Sequence, residues 1–292
     1  MNEPSDFIKE ICGEADILCE SLSQGYILRL TKGGRSRHIF GSYWDINSAA
    51  ADRIACDKTA CFLILEKNGI PAILHQIYFN PRLKPDWAEK NAQAFLDKHK
   101  KVVIKPNQGT KGLNIFLCQT AQELEAAAQA IFDSHTDAAL SPYVDIEHEY
   151  RVFYINGKCP LVYGKARSPL SWQHNLSQGA RVFEVLTPRQ SLALQDFDTP
   201  LGKGVTPPSQ RCDLVGGVIA DGAEQLKDLA CRAARAIGIN FATVDIARTS
   251  CGEIMVMEIN SGVQAKQLLE QLPELRGVVK GIYREAVEWL MG

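Results

Sequence analysis

The chain has 292 residues, a formal net charge of −2, 46% hydrophobic residues and 23% charged ones. This balance suits a globular protein with a sizeable buried core, and it argues against a basic surface built for nucleic acid or a membrane. Nine cysteines, an odd number with no C-x-x-C pair, argue against a disulfide framework and a structural zinc site. The N-terminal stretch MNEPSDFIKEICGEADIL carries acids early, and no uncharged run is long enough to span a bilayer, so the expected compartment is a reducing cytoplasm.

In chain order, residues 1–45 predict a short helix and one strand, GYILRL. Residues 47–69 carry apolar residues at helical spacing and stop at Gly69-Ile70-Pro71. AILHQIYF reads as a strand and residues 86–99 as a helix. KVVIK (101–105) and LNIFL frame a glycine-bearing loop, Pro106 to Gly112, as a hairpin, and Lys101, Lys105 and Lys111 make this stretch locally basic. Thr120 and Glu123 form a capping box that opens a helix running to about residue 134. The alternating strands EYRVFYI and PLVYGKA are joined at Asn156-Gly157, a hairpin turn signal. Residues 187–212, rich in proline, predict an irregular loop, after which Asp221 and Glu224 cap a helix ending near Gly238. Two more strands, FATVDIAR and EIMVMEIN, and a final helix complete an α+β pattern with antiparallel strands.

The last strand pair carries the strongest chemical signal. A two-residue turn at Cys251-Gly252 sets Asp245 opposite Glu258, and like charges facing each other destabilise a strand pair unless a cation lies between them. Alternation puts Glu258 and Asn260 on one face, so two carboxylates and an amide oxygen converge, a donor set suited to Mg²⁺. The bland alternative is a hairpin whose acids face water; the apolar run that these acids interrupt favours function.

Other pieces are weaker alone. Lys105 ends a strand before the N-Q-G-T-K-G loop, whose glycines let backbone N–H groups approach phosphate, although no Walker A motif is present. Ser141-Pro142-Tyr143-Val144 is an extended apolar hinge able to face a base, with acids including Glu149 after it. Lys165, Arg167, Asn175 and Arg181 share one polar stretch and suit stabilisation of a transferring phosphoryl group. Each of these also fits an ordinary solvated loop or strand.

Taken in order, these pieces resemble the ATP-grasp superfamily over about residues 47–270, nearest to the branch of bacterial glutathione synthetase, the ribosomal-protein glutamate ligases and the ATP-grasp module of cyanophycin synthetase. The resemblance implies a reduced N-terminal region (1–46) and an ATP-grasp domain (47–292) whose two α/β subdomains, about 47–143 and 144–292, clasp ATP between antiparallel sheets. It makes Lys58 and Lys105 phosphate lysines, Gln108, Gly109, Thr110, Lys111 and Gly112 a lid, and Pro142, Tyr143 and Val144 the adenine hinge. Glu149 is then the ribose acid, Met257 an adenine contact, and Asp245, Glu258 and Asn260 the ligands of Mg²⁺, or Mn²⁺ in its place. NLSQGAR is similar to the N-L-x-x-G-G-R segment of glutathione synthetase, which assigns catalytic roles to Asn175 and Arg181 beside Lys165 and Arg167. Ala180 departs from that segment, and Ser-Gly-Val-Gln after Asn260 replaces a proline-containing turn, so acceptor contacts do not carry over.

The implied activity is an ATP-dependent carboxylate–amine ligase that works through an acyl phosphate on an amino acid or peptide. The alternatives are an ATP-grasp phosphotransferase acting on a small molecule and a non-catalytic nucleotide-binding module. Expected partners are ATP, a carboxylate and an amine, the latter on a free molecule or a peptide or protein terminus, with no nucleic acid and no membrane. The oligomeric state is open, with a homodimer one candidate because dimers are frequent among similar enzymes.

Overall fold

The computed structural model describes residues 3–84, 91–109, 112–166, 180–187, 190–193 and 215–292. Helix α1 (Glu3–Glu14) precedes a four-stranded antiparallel sheet, β1 (Leu18–Leu22), β2 (Ile27–Lys32), β3 (Arg35–Phe40) and β4 (Tyr43–Trp44), in that spatial order. Sequence reading found the helix and β2 but not the other three strands. β1 and β3 (LCESL and RSRHIF) are mostly polar and their outer faces meet water, so their apolar alternation is faint. The inner face buries Leu28, Leu30, Ile39 and Trp44 against α1 and against the last helix, α8 (Arg276–Met291). That core continues without a break into Phe153, Tyr163 and Phe241 of the largest sheet.

The helical stretch after Asn47 is two helices, α2 (Ala49–Cys56) and α3 (Lys58–Lys67). They part at Asp57, which adopts an extended backbone (φ −103°, ψ 106°) and accepts a hydrogen bond from Ala60 N at 2.9 Å. A residue that caps the second helix cannot continue the first. A smaller antiparallel sheet follows from β5 (Gln76–Tyr78), β6 (Val102–Pro106), β7 (Phe116–Cys118) and β8 (Ala138–Pro142), ordered β5-β8-β6-β7. Helices α4 (Asn91–His99) and α5 (Ala121–Phe132) cover one of its faces, with Phe95, Leu96, Leu124 and Ile131 packed on Val102 and Ile104. The Thr120–Glu123 capping box is present in full.

The largest sheet has six antiparallel strands ordered β12-β11-β10-β9-β13-β14, formed by β9 (Ile146–Ile155), β10 (Lys158–Ala166), β11 (Arg181–Thr187), β12 (Gln190–Ala193), β13 (Phe241–Thr249) and β14 (Ile254–Asn260). Its β9–β10 turn puts Asn156 (φ 45°) and Gly157 (φ 80°) in the left-handed region that a tight hairpin demands. Two expectations are corrected here. Part of 187–212 is the edge strand β12 rather than loop, the rest lying outside the described residues. Helix α6 (Val215–Ile237) is already running at Asp221, so that residue does not cap it, whereas its end at Gly238 (φ 71°) is as predicted.

Strand alternation divides the residues of this sheet cleanly. Val152, Tyr154, Val162, Val244 and Ile246 face α6, while Phe153, Ile155, Tyr163 and Phe241 face the N-terminal sheet and α8. By the same parity Glu149, Arg151, Lys165 and Asp245 extend the second face, which turns from apolar to charged along its length. Between α8 and the final strand lie α7 (Lys266–Gln271) and a 3₁₀ turn, Pro273–Leu275. Among the described residues no helix is long and apolar enough to cross a membrane.

One buried side chain joins α2 to the large sheet. Asn47 donates to Asp52 Oδ1 (3.2 Å) and Phe241 O (2.9 Å), and its Oδ1 accepts from the N–H groups of Asn240 and Phe241, both at 2.9 Å. Asn47→Ala strands three backbone groups, two of them buried, and a carboxylate; urea unfolding is expected to show a loss of about 2–4 kcal/mol.

Candidate functional site

The β13–β14 hairpin delivers the predicted pairing by a different route. The loop holds three residues, Ser250, Cys251 and Gly252, because Thr249 N bonds Glu253 O at 2.9 Å, and Gly252 takes the left-handed conformation (φ 86°) that closes such a turn. One residue more in the loop would shift every partner, yet Asp245 does face Glu258 and Thr243 faces Asn260. A bulge restores the register: Asp245 pairs with Glu258 and Ile246 with Val256, so Met257 is the extra residue. The bulge also resets side-chain parity. Val256 and Ile259 both pack in the core against α6, while Glu258 and Asn260 turn to the charged face. Met257 and Glu258 thereby line one small cavity together with Lys58, Ile73 and His75.

On the charged face Asn260 Nδ2 donates to Asp245 Oδ2 (3.2 Å) and Glu258 Oε1 (3.1 Å), bringing the three predicted metal ligands together. Asp245 is 2% exposed. Directly across on β9, Arg151 grips it with Nε and Nη2 at 2.7 and 2.6 Å, and Lys165 Nζ reaches Oδ1 at 3.3 Å. Burial alone would raise the Asp245 pKa, but the charges and hydrogen bonds of Arg151 and Lys165 hold it well below the usual carboxylate range. Lys165 also pairs with Glu149, its cross-strand neighbour. Burial pushes the Glu149 carboxyl up, opposed by Lys165 and reinforced by Asp245, while Lys165 keeps its proton because the two carboxylates outweigh its desolvation. Glu149 is therefore held within this row, while the acids nearer the hinge, Asp145 and Glu147, are exposed.

The predicted phosphate lysines lie close to these acids: Lys58 lines the small cavity together with Glu258, and Lys105 feels the charges of Glu258 and Glu149. Lys105 is the penultimate residue of β6, which runs on to Pro106, and Lys58 opens α3. Burial, then the neighbouring Lys58 charge, lower the Lys105 pKa to about 8, against the pull of Glu258 and Glu149. The same surroundings, burial first and then Lys105 and Lys58, keep His75 neutral. Lys58 Nζ donates to Gly109 O (2.9 Å) and Gln108 Nε2 to Asp57 Oδ2 (3.2 Å), so the start of the glycine loop rests on the start of α3. Asn107 fastens the two: its O accepts from Lys58 N, and its Oδ1 from Thr59 N (3.1 Å) and Thr59 Oγ1 (3.0 Å). Gly112 has positive φ (67°), while Thr110 and Lys111 lie outside the described residues.

Pro142, Tyr143 and Val144 carry the chain from β8 of the smaller sheet to β9 of the larger. Tyr143 N is tied to Lys101 O (2.9 Å), with the Lys101 ammonium 3.6 Å over its ring. Arg181 opens β11 opposite Ala166 and is exposed, one position along β10 from Lys165. Arg167 and Asn175 lie outside the described residues.

The donor set suits a hard divalent cation. Two carboxylates that one amide nitrogen reaches at 3.1 and 3.2 Å are close enough to share an ion, and oxygen ligands are what Mg²⁺ takes. Arg151 and Lys165 already offset Asp245, so Glu258 is the carboxylate with more charge to give. Arg151 was not singled out from the sequence. Its signal was a cation amid the apolar residues of EYRVFYI, but its partner lies 94 positions away, and only the strand order shows it.

Residues 55–195 match the family described as a RimK-like ATP-grasp domain. Among curated relatives, a protein named "Probable alpha-L-glutamate ligase" from Pseudomonas paraeruginosa is 24% identical over 219 residues, covering 74% of this chain and 58% of the relative. One of the same name from Stutzerimonas stutzeri is 23% identical over the same shares. The chain thus spans under two thirds of the length of these relatives. Among solved structures, the D-alanine–D-alanine ligase from Bacillus anthracis superposes with a TM-score of 0.55 at 15% identity, covering 84% of this chain and 71% of that one. The D-cycloserine synthetase DcsG gives 0.53 at 18% identity, covering 82% and 71%.

Because the folded-state pKa of Asp245 is depressed, its ion pairs contribute stability that is complete above the ordinary carboxylate pKa of about 4 and is lost as pH falls below it. Arg151→Gln leaves a buried carboxylate with half its compensation. The expected result is a loss of about 3 kcal/mol at pH 7 and a smaller stability difference between pH 7 and pH 3, read from urea unfolding at each pH.

Proposed function

We propose that this chain, a member of the ATP-grasp superfamily by its fold and its RimK-like domain at residues 55–195, is an ATP-dependent carboxylate–amine ligase. The observation that supports this most is that two lysines, Lys58 and Lys105, lie beside Glu258, which Asn260 joins to Asp245. Phosphate needs the first group and a divalent cation the second.

In this reading Lys58 and Lys105 bind the phosphates of ATP, and the loop from Gln108 to Gly112 covers them. Pro142, Tyr143, Val144 and Met257 hold the adenine, and Glu149 is assigned the ribose. Asp245, Glu258 and Asn260 hold Mg²⁺, which when bound offsets charge on the transferring phosphoryl group. A substrate carboxylate oxygen attacks the γ-phosphorus, and ADP departs to leave an acyl phosphate. The amine then attacks the acyl carbon, inorganic phosphate departs, and an amide remains. Lys165, Arg167, Asn175 and Arg181 are assigned the charge that gathers on the phosphoryl group and on the tetrahedral intermediate. Closure of the 108–112 loop excludes the water that would hydrolyse the acyl phosphate. We read residues 47–143 and 144–292 as the two clasping subdomains and the setting as cytoplasm, with the homodimer a candidate assembly only. The names of the relatives make glutamate the first amine to offer.

Incubation with ATP, Mg²⁺ and mixtures of amino acids and short peptides is expected to release phosphate together with an amide product, seen as a new mass. A phosphorylated acceptor without amide would overturn the ligase reading in favour of phosphotransfer. Glu258→Ala is expected to abolish nucleotide turnover with the circular dichroism spectrum and unfolding midpoint retained; turnover that persists contradicts the metal assignment.

The depressed Lys105 pKa gives a pH signature. Lys105 binds phosphate only when protonated, and the free protein loses that proton near pH 8. Phosphate favours the charged form, so the bound protein holds the proton to higher pH. ATP affinity is therefore expected to weaken above pH 8, approaching about tenfold per pH unit. Lys105→Arg, charged throughout this range, is expected to flatten the profile measured by calorimetric titration from pH 7 to 9.5.

A further inference from the structure

On the sheet face turned away from the charged row, two cysteines that the proposed chemistry does not use lie side by side. Cys159 is at the start of β10 and Cys231 in α6, 72 positions later, with their Sγ atoms 3.4 Å apart. Their other contacts are weak: Cys159 Sγ lies 3.6 Å from Lys227 O, and Cys231 Sγ 3.5 Å from Gly157 O. Both are half-buried at the rim of the core beneath α6, within reach of a small reagent. Cys61 is different. It is fully inside the core, and burial pushes its thiol up to about 12. Cys231 moves the other way, to about 7, chiefly by the hydrogen bond from Cys159 and also by the charge of Arg235, against its burial.

We propose that Cys159 and Cys231 are a dithiol oxidation site that closes to a disulfide and staples α6 to the β9–β10 hairpin. The sulfurs must approach from 3.4 Å to the bond length of about 2.0 Å, a displacement of the order of a side-chain adjustment. With glutathione disulfide as oxidant, the Cys231 thiolate attacks one of its sulfurs and releases one glutathione thiolate. Cys159 gives up its proton, attacks Cys231 Sγ in the mixed disulfide and releases the second glutathione. The two protein thiols lose two electrons and two protons, and one glutathione disulfide becomes two glutathione molecules. The staple links residues 72 positions apart and restricts chiefly the unfolded chain, so the oxidised protein unfolds at a higher temperature.

The test treats the whole, folded protein with glutathione disulfide, alkylates the remaining thiols and maps peptides without reduction. The expected result is a peptide pair joined through Cys159 and Cys231, a mass lower by two hydrogens, a raised unfolding midpoint and full reversal by dithiothreitol. Cys231→Ser is expected to abolish the joined pair, and Cys251→Ser, at an exposed position, to leave it. Recovery of both residues alkylated, or of Cys231 as a lasting glutathione adduct, would overturn the proposal and leave a thiol–thiol contact only. The wild-type map decides this without any variant, and independently of the ligase reading.

Discussion

A carboxylate in the middle of an apolar sheet is the constraint on which this structure turns. Asp245 is almost wholly buried on β13, a strand paired on both sides, where an uncompensated charge would cost several kcal/mol. The neighbouring strand answers with Arg151 in bidentate contact, and the next strand out with Lys165, which is shared with Glu149. These residues form a row across β10, β9 and β13 that holds Asp245 in one orientation. Glu258 and Asn260 are then added at the sheet edge, on β14, where Glu258 meets the small cavity that Lys58 also lines. Removing any member of the row leaves another charge stranded, so the site is specified by neutrality as much as by shape.

A second constraint is parity. In a plain strand Val256 and Glu258 would share a face, and the core beneath α6 would receive either both or neither. The bulge at Met257 lets Val256 and Ile259 stay in the core while Glu258 faces Asp245. The loop at Ser250–Gly252 and this bulge offset each other, and the like-charged pair is the result. The charged row also continues, on one sheet face, the core that holds the N-terminal strands and α8. The apparently minor N-terminal segment thus shields the sheet face from which the row is built.

Much of this was legible in the sequence because it is local. Asn156-Gly157 marks its turn, Thr120 and Glu123 mark their helix start, and FATVDIAR and EIMVMEIN mark a hairpin with acids out of pattern. The Asp245–Glu258 pairing was also anticipated, although from a turn one residue too short. What escaped depends on which strands become neighbours. Arg151 acquires meaning only when β9 lies beside β13, and the pairing of Glu149 with Lys165, two residues already singled out, only when β10 lies beside β9. β1 and β3 escaped because a sheet wetted on one face needs few apolar residues. The break at Asp57 was written in the sequence as a cap, but apolar spacing on both sides hid it.

On the proposed reading, one site holds a divalent cation and a nucleoside triphosphate between Lys58 and Lys105 and the acids of the β13–β14 hairpin. A crystal structure with Mg²⁺ and a non-hydrolysable ATP analogue tests it most directly. The account predicts the cation bound by oxygens of Asp245, Glu258 and Asn260, with phosphate oxygens completing its shell and Lys58 and Lys105 in contact with them. Phosphates bound elsewhere, or a cation that leaves Glu258 and Asn260 untouched, would contradict it.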